Sequence, residues 1–187
     1  PDPLPTGDAP WVLARVRDPR VRDRLEADLR APRRWREGAA AALAAWNGLP
    51  EALAEAASEM TLDAEAARRL ADTPAEFLLE AAARDALPDS VVGRLGLLGE
   101  RARPALEKYR RERHLGRYWP ATAGLALAGD AAARAEFLAL LREDRVPIWD
   151  GWFDPLACTL DGDPEALAYW RSRAGSNCCL WFYAAEV

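Results

Sequence analysis

Turns recur along this chain at a near-constant spacing of roughly thirty residues, and that period restricts the fold more than any other feature. Asp18 to Gly48 spans 30 residues, Gly99 to Gly129 spans 30, and Gly129 to Gly162 spans 33. Each anchor separates an Ala/Leu-rich segment from a second segment that opens with an acidic residue or a proline. Leu127-Ala128-Gly129-Asp130 parallels Leu160-Asp161-Gly162-Asp163, and Pro50-Glu51-Ala52-Leu53-Ala54 recurs letter for letter as Pro164-Glu165-Ala166-Leu167-Ala168. A period of this length made of two segments leaves no single unit able to bury its apolar face, so the units must stack. The 51-residue interval from Gly48 to Gly99 fits neither one unit nor two, and Asp72-Thr73-Pro74 divides it.

The segments between the turns are helical. Alanine makes up about a fifth of the chain while Val, Ile and Thr are scarce, which favours helix over sheet. Asp18-Pro19, Thr73-Pro74 and Asp163-Pro164 each place a capping side chain before a proline whose missing N–H costs nothing at the first helical position. Thr73 and Glu76 have capping-box spacing, and Asp130 opens an alanine-rich stretch in the same manner as Asp163. Gly48, Gly99, Gly129 and Gly162 fall where a preceding helix should end. Apolar residues recur at helical spacing in Val21, Leu25 and Leu29, in Phe77, Leu78 and Ala81, and in Phe137, Leu138 and Leu141. About twelve helices and no strand are expected. The turns at Gly129 and Gly162 are expected to be equivalent, with Asp130 and Asp163 at the same point of their helix pairs.

Leu95-Gly96-Leu97-Leu98-Gly99-Glu100-Arg101-Ala102-Arg103-Pro104-Ala105-Leu106, and Ala126 to Asp130 followed by Phe137-Leu138, resemble HEAT repeats. The likeness is to the short bacterial HEAT-like repeats also found in phycobilin lyases. Asp18-Pro19-Arg20-Val21-Arg22 is similar to that family's acidic turn and following arginine. The resemblance covers about 91–170, and more weakly 10–57. It implies an all-α, right-handed solenoid of antiparallel helix pairs whose concave face holds a protein partner, without chemistry. The expected organisation is a single helical-repeat domain over 1–187, belonging to a longer chain. Ser176 looks like the cap of one more helix, and Leu180, Trp181, Phe182 and Tyr183 give it apolar groups on nearly all sides. Such an end calls for a following repeat, or for self-association through the C-terminal segment.

Charge and composition narrow the function classes. A net charge of -5 disfavours a general nucleic-acid binder, which needs a cationic surface. The charge is blocked along the chain: residues 38–90 carry three Lys/Arg against ten Asp/Glu, and residues 91–117 carry eight against three. Cys158, Cys178 and Cys179 make an odd set that reads as buried thiols of a cytoplasmic protein, and the single His114 stands too far from them for a zinc motif. His114 fits a polar residue near a helix C-terminus. No segment has the length of a membrane helix, and neither a metal nor a cofactor is expected.

Two groups of residues are candidates for partner binding. In the first, Arg145, Trp149, Asp150, Trp152 and Asp154 alternate indoles with carboxylates beside a guanidinium. This arrangement is loosely similar to the base-excision site of the HEAT-like DNA alkylation-repair glycosylases, where by resemblance Trp faces and an Asp attract a cationic damaged base. The second is the basic stretch Arg101 to Arg117, with Arg110, Arg113, Tyr109 and Tyr118, which suits an acidic peptide or RNA or serves as a solvated helix face. Trp149, Trp152 and Trp119 are the expected exposed anchors, because tryptophan is enriched at binding hot spots. Trp11, Trp35, Trp46 and Trp170 are expected in the core. A non-catalytic scaffold for a protein or peptide is the leading reading, a repair glycosylase the alternative, and a structural spacer the third.

Overall fold

The computed structural model describes residues 15, 17–30, 33–112, 119–146 and 155–174. Every regular element among them is helical. The chain divides into two compact units, residues 1–91 and 92–187.

In the first unit, α1 (Pro19–Asp28) begins where the sequence places it. Asp18 accepts a hydrogen bond from the Arg20 amide at 2.9 Å, and Pro19 occupies the first turn. The next helix, α2 (Arg33–Trp46), is the centre of this unit, and it packs against α1, α3 (Glu51–Ala57) and α4 (Ala64–Asp72). Residues 38–44, Gly-Ala-Ala-Ala-Ala-Leu-Ala, are all buried. A helix enclosed on every side must be apolar all round, and small side chains let its neighbours approach closely. Asp63 caps α4 by accepting from the Ala66 amide at 2.8 Å.

The capping box expected at Thr73 does not form. Thr73 is at once the last cap of α4 and the first cap of α5 (Pro74–Ala83), with ψ 63°. Its hydroxyl donates back to the Arg69 carbonyl at 3.2 Å, satisfying the end of α4 in place of the start of α5.

The division between the units falls inside α6 (Asp89–Arg94). The second unit continues through a 3-10 stretch, Leu95–Arg101, kinked at Gly99, into α7 (Arg103–Glu112), α8 (Trp119–Leu127) and α9 (Ala131–Arg142). It closes with α10 (Pro155–Thr159) and α11 (Pro164–Ala174). Here α8 has the central place, packed against the 3-10 stretch, α7, α9 and α10, with residues 119–125 all buried. Phe137, Leu141, Val146, Ala157 and Trp170 build the core beside it. Cys158 is buried, as expected of it. Where α8 crosses the 3-10 stretch the backbones nearly touch: a Cβ on Gly96 would lie 1.9 Å from the Gly124 carbonyl oxygen.

All four anchor glycines have the positive φ that glycine alone adopts freely, +96° at Gly48, +61° at Gly99, +92° at Gly129 and +88° at Gly162, although Gly99, with ψ -140°, kinks the 3-10 stretch and does not form a left-handed helix end. Asp130 and Asp163 both cap the helix that follows, each accepting from the amide three residues on. The incoming helix ends differ. Gly129 itself terminates α8, with the Asp130 amide donating to the Leu125 carbonyl. At the second turn Leu160 takes that role, and Asp161 and Gly162 extend the left-handed run before the cap. The repeated pentapeptides are also used differently. Pro50 is the cap of α3 and Leu53 is fully buried, whereas Pro164 is the first residue of α11 and Leu167 is half-buried. Among the described residues no helix is long and apolar enough to cross a membrane. Ser176, Cys178, Cys179, Trp181 and the rest of the apolar C-terminal segment lie outside the described residues, as do Trp11 and His114.

Candidate partner-binding site

In the second unit the charged side chains follow a repeated rule that starts from helix capping. Asp130 accepts from the Ala133 amide at 2.9 Å through one oxygen, and through the other it takes Nη1 of Arg103 at 2.5 Å. Asp163 does the same 33 residues later: one oxygen accepts from the Glu165 and Ala166 amides at 2.9 and 3.2 Å, and the other takes Nε of Arg134 at 2.7 Å. Each capping aspartate therefore closes its own helix and receives an arginine from the helix one pair earlier. A second rung accompanies each. Arg110 donates to Glu136 at 2.7 Å, so α7 and α9 run side by side in the same direction. Arg142 pairs with Glu165, so the arginines of α9 converge on the first turn of α11.

The electrostatics follow from this arrangement. The Ala133 amide and then the Arg103 guanidinium hold the Asp130 carboxyl below the usual carboxylate range. Arg103 also makes a fork to Glu100, with both contacts at 2.8 Å, which lowers the Glu100 carboxyl and raises the guanidinium above its ordinary value.

A second cluster sits where α9 ends. Asp144, in left-handed backbone with φ +58°, accepts from the Tyr169 hydroxyl at 3.0 Å and pairs with Arg173 at 2.8 Å. Arg173, more than Tyr169, lowers the Asp144 carboxyl. Burial, helped by Asp144, raises the Tyr169 hydroxyl. Tyr169 meets Trp170 edge-on with ring centres 4.9 Å apart, and Trp170 Nε1 donates to the Cys158 carbonyl at 2.8 Å. Trp170 is in the core, as expected; Trp35 and Trp46 are half-buried.

The expectation of an exposed Trp119 is corrected by its burial. It is 7% exposed and packs at 6.5 Å from Phe137, because it opens the helix that the rest of the unit encloses. Arg110 is half-buried against Glu136, and Arg145 is exposed beside Glu143 at 3.4 Å. No contact among the described residues joins Arg110 to Arg145. Arg113, Trp149, Asp150, Trp152 and Asp154 lie outside the described residues. Among the described residues no group of three or more His, Cys, Asp or Glu is placed to hold a metal ion.

Sequence reasoning missed Arg134, Arg142, Asp144, Tyr169 and Arg173, and did not pair Arg103 with Asp130. A signal was present, since Arg103 to Asp130 is 27 residues and Arg134 to Asp163 is 29, both close to the turn period. No protein-family model matches the chain, and comparison with curated proteins and with solved structures also gives no match.

Proposed function

We propose that the chain is a non-catalytic helical-repeat scaffold of HEAT-like type, an α-solenoid acting in the cytoplasm, which binds a protein or peptide partner. The observation that carries this reading is the relay of arginines onto successive capping aspartates, Arg103 to Asp130 and Arg134 to Asp163. Ties of this kind between equivalent helices fix their register, and a surface already ordered loses less freedom when a partner docks. The buried 119–125 stretch of α8 offers no surface, so the partner face is assigned to the layer of α7, α9 and α11. The glycosylase reading is weaker there, because Arg103 and Arg110 are committed to carboxylates of the chain itself and not open to phosphates.

The test pairs two measurements on the full chain. Affinity capture from the native host should retain a defined protein that is lost when exposed charges outside the relay are reversed in Arg145→Glu or Arg171→Glu. Fluorescence anisotropy with a labelled DNA duplex should show no tight binding at low salt. Tight, salt-sensitive DNA binding would overturn the proposal in favour of the nucleic-acid enzyme.

A further inference from the structure

We draw no further inference here: the strongest candidate, the solvent-facing side of α11 that carries Ala168, Arg171 and Ser172, is an unpartnered helix face and nothing among the described residues shows what covers it.

Discussion

Replacing Gly96 by alanine is expected to destabilise the second unit far more than one methyl group ordinarily does. The added Cβ would stand 1.9 Å from the Gly124 carbonyl oxygen, 2.7 Å from its carbon and 2.9 Å from Leu127 Cβ. An unstrained carbon–oxygen contact needs about 3.4 Å or more, so α8 would have to retreat by over an ångström. No rotamer change can relieve the clash, since the nearest atoms are backbone. Gly124 stands at a similarly close approach, since a Cβ there would lie 2.9 Å from Leu106 Cδ2 and 3.0 Å from the Val92 carbonyl oxygen. Overpacking costs about 1–3 kcal/mol where side chains can yield, and a backbone clash belongs at or above the top of that range. With a urea dependence of about 2 kcal/mol/M, a loss of about 3 kcal/mol lowers the unfolding midpoint by about 1.5 M. The comparison is Gly129→Ala, where nothing lies within 4 Å and only the positive φ is penalised, at about 1 kcal/mol and hence about 0.5 M. Urea titration followed by circular dichroism, with amide hydrogen exchange in residues 119–127 as the local readout, measures both. If Gly96→Ala unfolds with the same midpoint as Gly129→Ala and leaves exchange in α8 unchanged, the close approach is not what holds these segments together.

Three further outcomes concern the caps and the paired carboxylates. Asp130→Ala and Asp163→Ala should each cost about 1 kcal/mol in thermal or urea unfolding, since each removes an N-cap; loss-free variants would contradict the capping geometry. Thr73→Ala should cost less than about 0.5 kcal/mol, whereas Asp63→Ala costs about 1 kcal/mol, because only Asp63 caps its helix through its side chain; equal losses would restore the capping box. Asp130, Glu100 and Asp144 have folded-state carboxyls below their ordinary values, so the stability they contribute is full above the ordinary carboxylate range and is lost as pH falls through the lowered values. Urea midpoints measured between pH 7 and 3 should decline toward acid, and Asp130→Asn should flatten that decline. An unchanged slope would show that the paired carboxylate contributes nothing.

The helical class, the caps at Asp18, Asp130 and Asp163 and the four turn glycines were legible because each rests on residues adjacent in sequence. Local chemistry decides them before tertiary packing enters. Thr73 shows where that reading fails: a side chain between two abutting helices has two backbone ends to serve, and the spacing to Glu76 does not say which one wins. Trp119 fails for a related reason, since a tryptophan at a helix start looks the same whether the helix lies on the surface or is enclosed. The enclosed stretch of α2 had a visible sign in its unbroken run of alanine, but an alanine-rich sequence reads as helix propensity before it reads as burial. The arginine relay depends on partners 27 and 29 residues apart, and only the nearness of that spacing to the turn period could have suggested it.

The alanine-built centre of α2 has a consequence for what the first unit can accommodate. Alanine has no side-chain rotamers, so the stretch from Ala39 to Ala42 has no alternative conformers with which to take up an inserted group or to heal a void. Small side chains let neighbouring helices approach closely, so the shape of this stretch is set mainly by main chain and Cβ atoms. An interior of that kind neither swells around a small molecule nor yields to a bulkier residue. Substitution at these positions is therefore expected to keep the fold only among the smallest side chains, which leaves the outward faces of the surrounding helices as the places that can vary.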